Sequence, residues 1–279
     1  MNPLIKWPGG KRKLAPEISR ILGAGARYFE PFVGGAGVLL TVLPNNATCF
    51  DINGELINFY NIVKNQPNEL IALLQEKYIP SHCPEFYYAI RNLDKDKVSF
   101  AKIPAVDRAA RFLYLNKTCY NGLWRENSKG EFNVPLGRYK RPSYTTPDDI
   151  LAASEYFNIA NIAFINADYS AVEPLVHPGD LVYFDPPYDI EEGQNGFVDY
   201  SHGGFSRTDQ ANLKHLCDRL VAIGATVGIS NSNTEFIREL YSDGPIIYEL
   251  NHEILASRSI GASTKTRKQL SELLIVGRP

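Results

Sequence analysis

A glycine-rich turn between two short apolar stretches, the second ending in an acid, constrains this chain more than any other feature. Residues 27–32 read as a strand that runs into Val33-Gly34-Gly35-Ala36-Gly37. Residues 38–43 then open a helix, and residues 47–50 form a second short strand ending at Asp51. Asn53 is placed to cap a helix whose apolar positions Leu56, Ile57, Tyr60 and Val63 recur at helical spacing. Strand, glycine turn, helix, strand and acid in this order make the front half of a nucleotide-binding α/β unit.

The pattern then breaks. Residues 66–118 read as helical, with Leu70, Leu73, Leu74 and Tyr78 on one face and Ala109, Phe112, Leu113 and Asn116 on another. Pro67, Pro80, Pro84 and Pro104 punctuate the pieces, and no strand of the α/β pattern intervenes, so this part reads as an insertion. Residues 119–142, rich in Gly, Asn, aromatic and basic side chains, predict a hairpin or exposed loop. Strands at 162–166, 180–184, 226–230, 246–250 and 270–276 alternate afterwards with helices at 208–223 and 234–241. That alternation predicts a mostly parallel sheet covered on both faces.

Composition narrows the class. The chain holds no run of 18 apolar residues, so no transmembrane helix is expected. Residues 1–13 are polar and Gly-rich, unlike a signal peptide, and a cytoplasmic location is expected. Cys49, Cys83, Cys119 and Cys217 are scattered without a C-x-x-C pair. They predict neither zinc nor disulfides, but small buried hydrophobes in a reducing compartment. Net charge is −2, yet residues 107–141 carry Arg108, Arg111, Lys117, Arg125, Lys129, Arg138, Lys140 and Arg141 against only Asp107, Glu126 and Glu131. A cationic stretch on a near-neutral chain is the footprint of a polyanion site.

Three motifs carry chemistry. In Leu181-Val182-Tyr183-Phe184-Asp185-Pro186-Pro187-Tyr188 a buried strand stops at two prolines, which lack the N–H needed to continue a ladder. The Asp185 carboxylate and Pro186 carbonyl then face the crevice at the carboxyl end of the sheet, where α/β folds bind ligands. Two acceptors beside the Tyr188 ring suit a planar heterocycle bearing an NH2 group. The second motif is Phe29-Glu30-Pro31-Phe32-Val33-Gly34-Gly35-Ala36-Gly37. Its glycines admit close backbone approach, and the helix after it presents an electropositive end. It is neither G-x-G-x-x-G nor a P-loop, which favours a smaller nucleoside ligand. Asp51 lies at about the offset where an acid takes ribose hydroxyls. The third, Lys6-Trp7-Pro8-Gly9-Gly10-Lys11, is weak alone and reads as solvated surface.

Together these motifs resemble the D12-class, Dam-type DNA adenine methyltransferases. The middle segment carries the resemblance furthest: Tyr120-Asn121-Gly122-Leu123-Trp124-Arg125, followed by Gly130-Glu131-Phe132-Asn133-Val134-Pro135-Leu136-Gly137-Arg138-Tyr139-Lys140, is similar to that family's target-recognition hairpin. The tail from Ser257 through Lys265-Thr266-Arg267-Lys268 to Glu272-Leu273-Leu274 is similar too. The resemblance implies a Rossmann-like methyltransferase fold with a mostly helical inserted recognition domain carrying a β-hairpin. Residues 1–65 and 145–279 would form the catalytic, cofactor-binding domain, and residues 66–144 the DNA-binding one. It implies S-adenosylmethionine as methyl donor, S-adenosylhomocysteine as product, and no metal. Trp7, Gly10 and Lys11 would help hold the methionine end, Phe32 with Gly34, Gly35 and Gly37 would cradle the cofactor, Asp51 would bind its ribose, and Asp168 would contact its adenine. Asp185, Pro186 and Tyr188 would hold the flipped target adenine, Asp185 also neighbouring the cofactor's amine. Tyr120, Asn121, Leu123, Arg125, Pro135, Arg138 and Lys140 would meet double-stranded DNA, and members with this hairpin recognise GATC. A bacterial or phage-encoded monomer or weak dimer is expected, serving DNA adenine methylation or restriction–modification.

Two other functions fit parts of the pattern. An RNA adenine methyltransferase would share the chemistry, but the deep, narrow major groove of A-form RNA gives such a hairpin little to read. A regulator that had lost catalysis would have no need of Asp185, Tyr188, Asp51 and Lys11 together.

Overall fold

The computed structural model describes residues 1–190, 204–256 and 270–279. Strands β1 (Tyr28–Glu30), β2 (Ala47–Asp51), β3 (Ala163–Asn166), β4 (Leu181–Phe184), β5 (Thr226–Ser232), β6 (Tyr248–Ala256) and β7 (Leu270–Gly277) form one sheet in the order β3-β2-β1-β4-β5-β7-β6. The pairings from β3 to β5 are parallel, and β7 runs antiparallel to both β5 and β6. The chain winds outward from β1 through β2 to β3, then returns to build β4 and β5 on the other side. The reversal opens a crevice at the carboxyl ends of β1 and β4.

Side chains alternate between the two faces of this sheet, as a two-residue period demands. Leu181 and Tyr183 join one apolar cluster while Val182 and Phe184 join the other; Leu274 and Val276 oppose Leu273 and Ile275 in the same way. The second cluster is closed by α9 (Arg207–Ile223) and α10 (Glu235–Ser242). The first is closed by α1 (Ala15–Leu22), α2 (Leu39–Val42), α3 (Gly54–Asn65) and α8 (Pro147–Ile159). It continues into the insertion through α4 (Pro67–Leu73), α5 (Pro84–Arg91) and α7 (Ala105–Thr118), whereas α6 (Lys97–Ala101) contributes nothing to it. Residues 109–116 of α7 are all buried, so this helix is wrapped on every side. Among the described residues no helix is long and apolar enough to cross a membrane.

Several elements depart from the sequence expectation. Helices α1 and α8 had no counterpart in it. Their buried residues, Ala15, Ile18 and Leu22, and Ile150, Ala153 and Phe157, nevertheless keep helical spacing. Strand β6 starts later than residue 246 and runs on to Ala256, because β7 supplies a ladder partner that local pattern does not reveal. Cys83 is exposed rather than buried, its sulfur accepting the Phe86 N–H at the start of α5. The tail motif at 257–268 and most of the 189–205 connection lie outside the described residues.

Candidate active site and nucleic-acid interface

Strand β4 is fully buried and delivers Asp185 to the crevice, where its side chain is 20 % exposed. The two prolines then turn the chain away, and three buried side chains hold the turn from beneath. Gln210 of α9 donates to the Pro187 carbonyl at 2.8 Å, and Asn231 of β5 donates to Gln210 at 3.0 Å and accepts the Asp189 N–H at 3.1 Å. Thr234 donates to the Asp189 carboxylate at 2.8 Å. The Pro187 carbonyl is therefore occupied, whereas the Pro186 carbonyl accepts no hydrogen bond from the described residues. Burial raises the Asp185 carboxyl above the ordinary carboxylate range, and the Lys11 ammonium pulls it back.

Read alone, the N-terminal motif places this lysine on a solvated surface, whereas the family resemblance places it beside the cofactor; Lys11 is 5 % exposed. Its ammonium donates to the Gly9 carbonyl at 2.7 Å, stands 3.1 Å from Asp185 Oδ1, and lies 4.7 Å over the Tyr188 ring. Gly10 and the residues before it form a strap across the glycine turn. A Cβ on Gly34 or Gly35 would come within 2.8 Å of the Trp7 side chain. These glycines are thus required first by Trp7, which fills the space a side chain would take. Gly34, at φ +44, and Ala36, at φ 53, bend the turn through the left-handed region. Gly37 lets the start of α2 pass 3.2 Å from the Lys11 and Arg12 backbone nitrogens, measured from where a Cβ would stand.

Beyond the turn, Asp51 closes β2. One carboxylate oxygen accepts the Gly34 N–H at 3.1 Å and the other the Asn53 N–H at 2.9 Å. Burial raises this carboxyl too, and the backbone donors oppose the rise. Each oxygen keeps a further lone pair, the acceptor set that a vicinal diol needs. Phe32 stacks on Tyr169 with ring centroids 5.3 Å apart, and exposed Asp168 accepts the Ser170 N–H at 3.0 Å just beyond β3. Turn, Asp51, Phe32 and Asp168 thus ring the carboxyl ends of β1, β2 and β3. This donor and acceptor set fits a nucleoside cofactor.

Beneath them Glu30, the last residue of β1, is buried and accepts the Tyr28 hydroxyl at 2.9 Å. Burial pushes its carboxyl up to about 8.

The hairpin follows α7. Bridges pair Cys119 with Leu136 and Glu126 with Phe132, and the Tyr120 N–H donates to the Pro135 carbonyl at 2.9 Å. Left-handed backbone at Asn121, φ 55, and at Gly122, φ 66, turns Tyr120 outward to 45 % exposure. A Cβ on Gly122 would lie 2.4 Å from Lys6, so strap and hairpin abut. Inside, Trp124 packs between Phe112 and Phe132 at centroid distances of 4.3 and 4.6 Å. Asn121, Arg125, Pro135, Arg138 and Lys140 are exposed, and Leu123 is half-buried. Arg125 Nε donates to Asn133 at 2.7 Å, which holds the guanidinium across the hairpin. Not all of the basic stretch faces outward. Arg111 is buried and pairs with Asp94 at 2.8 Å, and Arg108 pairs with Glu55 at 3.1 Å. Burial and nearby Lys6 lower the Lys117 ammonium to about 8.

Sequence reasoning gave no role to Glu272, which it met only as part of the tail motif, and missed Asp94, Gln210 and Asn231. Glu272 accepts the Tyr188 hydroxyl at 3.1 Å and stands 3.8 Å from Lys11 Nζ. Helical and strand periodicity contain no signal for any of these four.

A doubly wound sheet with an acid closing β2 and another closing β4, on the two sides of the reversal, defines a class. Such a protein binds its ligands in the crevice between those two acids. The chain belongs to the D12 class N6 adenine-specific DNA methyltransferase family, which it matches over residues 7–257. It is 37% identical over 276 residues to the type II methyltransferase M1.LlaDCHI of Lactococcus lactis subsp. cremoris, covering 99% of this chain and 95% of the relative. It is 36% identical over 281 residues to the DNA adenine methylase of Escherichia coli K12, again covering 99% and 95%. A third relative, the type II methyltransferase M.MjaIII of Methanocaldococcus jannaschii, is 35% identical over 295 residues, 99% of each chain. The protein is an adenine-specific DNA methyltransferase, and family and fold imply S-adenosylmethionine as its methyl donor.

Proposed function

We propose that this protein methylates N6 of adenine within GATC in double-stranded DNA, on a base flipped from the helix, without a metal ion. The observation that carries this reading is the largely enclosed Asp185, its side chain 20 % exposed, next to a Pro186 carbonyl with no partner among the described residues. The exocyclic nitrogen of adenine is a poor nucleophile because its lone pair is delocalised into the ring. Asp185 and the Pro186 carbonyl accept its two hydrogens, favour a tetrahedral nitrogen and aim its lone pair. Tyr188 orients the ring. Positioning and electrostatics of this kind account for such a transfer. S-adenosylmethionine, when bound, supplies the electrophilic methyl group and leaves as S-adenosylhomocysteine. Asp51 takes its ribose, Phe32 and the Gly34–Gly37 turn its body, Asp168 its adenine, and Trp7, Gly10 and Lys11 its methionine end.

In this division residues 1–65 and 145–279 carry the chemistry, and residues 66–144 carry recognition. A paired adenine cannot present N6 inside the duplex, and extruding it costs a few kcal/mol. Exposed Tyr120, flanked by Asn121 and half-buried Leu123, is placed to wedge into the vacated stack. Arg125 offers a fork to O6 and N7 of guanine, and Pro135, Arg138 and Lys140 flank it along the DNA. The test is incorporation of labelled methyl into GATC-containing and GATC-free duplexes, with and without a chelator. The expected result is labelling of the first duplex alone, unaffected by the chelator. Equal labelling of both refutes the GATC assignment, and loss of labelling with chelator refutes the metal-free one.

A further inference from the structure

The cluster around Lys11 contains one more carboxylate than the reading above employs. Glu272 lies on β7, in the tail that resembles the family and beyond the 7–257 match, opposite Ser232 of β5 and Ile254 of β6. Its side chain, 15 % exposed, enters the crevice from the antiparallel side of the sheet. One of its oxygens serves two partners, accepting the Tyr188 hydroxyl at 3.1 Å and lying 3.8 Å from the Lys11 ammonium. Lys11 is therefore held between two acids, with Asp185 at 3.1 Å.

We propose that Glu272 is a positioning residue for methyl transfer: it pins the Tyr188 ring by its hydroxyl and shares Lys11 with Asp185, leaving Asp185 free to accept the target amine. The proposal rests on the reading that Asp185 and Tyr188 hold the target base. A phenol ring anchored at its far end cannot swing about its Cα–Cβ bond, so the ring stays in the crevice where a base can stack on it. The ammonium donates one hydrogen to Gly9, and its charge faces both acids, Asp185 at 3.1 Å and Glu272 at 3.8 Å. Without Glu272 the whole charge falls on Asp185, whose lone pairs are then drawn away from the substrate.

The arrangement has a signature in pH. The groups that face Asp185 are Lys11 from the strap, Glu272 from β7, Tyr188 from its own loop, Tyr183 from β4 and Glu30 from β1. Glu272, a like charge, makes Asp185 harder to ionise. Neutralising it makes ionisation easier. The acid limb of kcat, where Asp185 must be ionised to accept, then moves to lower pH.

The experiment uses the full chain with a duplex substrate, in Glu272→Gln, Glu272→Ala, Tyr188→Phe and the double variant Tyr188→Phe with Glu272→Ala. Glutamine keeps an acceptor for the hydroxyl and removes the charge. Its kcat is expected to fall about tenfold with the KM for DNA nearly unchanged, the split that marks a loss in the transition state. Its acid limb shifts down in pH, which a merely structural role would not cause. Tyr188→Phe is expected to cost less on the Glu272→Ala background than alone, because the shared bond is already lost. A Glu272→Gln variant with wild-type kcat and an unmoved acid limb overturns the proposal, as do additive effects in the cycle. Asp185→Ala separates the two levels. If it stays active, the reading of the site itself fails; if it is dead while Glu272→Gln is unchanged, only the role of Glu272 fails.

Discussion

Between Phe184 and Ile190 the backbone is gripped from below by side chains that never reach solvent: Gln210 and Asn231 are both fully buried, and Thr234 nearly so. Between Cys119 and Gly137 the two arms of the hairpin meet at isolated bridges and a few backbone bonds, and the side chains proposed to read DNA stand in water. The hairpin is steadied from behind instead. Asp94 accepts the Phe132 N–H at 2.9 Å, Tyr87 donates to the Val134 carbonyl at 2.9 Å, and Lys97 donates to the Gly130 carbonyl at 2.6 Å. Transfer to a weak nucleophile needs atoms fixed to a fraction of an ångström, so its acceptors are built on a strand end and buttressed by satisfied polar groups. Reading base edges needs side chains that can leave water and meet a partner, so the hairpin is supported mainly from the rear, with the Asn133 anchor on Arg125 an exception on its outer face.

The sharpest way to break this contrast is Asp185→Ala. If the β4 loop is pre-organised for chemistry, the loss falls on kcat by about a hundredfold or more, with S-adenosylhomocysteine still bound in calorimetry. A variant retaining more than about a tenth of wild-type kcat, a penalty under ~1.4 kcal/mol, removes Asp185 from the reacting nitrogen.

Next in size is Asp94→Ala, which attacks the rear support of the hairpin. It leaves Arg111, 2 % exposed, without its carboxylate and frees the Phe132 N–H. Breaking a buried ion pair by removing one partner costs about 3–5 kcal/mol. Arg111 keeps its bonds to the Ile90 and Arg91 carbonyls, which puts the expectation at the lower end of that range. Urea unfolding midpoints measure the loss, and discrimination between GATC and single-mismatch duplexes is expected to fall with them. A stable variant with full discrimination means that the aromatic stack around Trp124 suffices.

The same contrast explains what was legible in the sequence. Asp185, Pro186, Asp51 and the glycine turn announce themselves because each sits where a strand stops, and strand ends are written in local pattern and in residues that break it. The exposed hairpin was legible through its sequence of aromatic, Asn, Gly and Arg, which matches a family. Supports are different. Asp94, Gln210, Asn231 and Glu272 act across the fold, and nothing local distinguishes a buried amide or acid from a solvated one. Arg108 and Arg111 erred in the opposite direction: counted with the cationic stretch, they are consumed by Glu55 and Asp94. The glycines of the turn were correctly placed but incompletely explained, since Trp7, not only a ligand, occupies the space their side chains would need.

The smallest expected effects compare two cations on the hairpin itself. Arg125 is anchored through Nε to Asn133 at 2.7 Å, and its terminal nitrogens make no other bond among the described residues. That leaves a fork whose direction is set before DNA arrives, as base readout requires. Lys140, exposed at the far end of the segment, has no such anchor among the described residues and suits a phosphate contact. Arg125→Ala is expected to lose about 1–3 kcal/mol of discrimination at one guanine. Lys140→Ala is expected to weaken every duplex about equally and to reduce the salt slope by roughly one unit. Affinities for cognate and single-mismatch duplexes across a salt series separate the two. Equal losses on both duplexes for Arg125→Ala turn Arg125 into a backbone contact. The anchoring by Asn133 would then serve the hairpin's shape rather than its reading, and Asn133→Ala, which frees the guanidinium without removing it, decides between those roles by whether discrimination or stability falls.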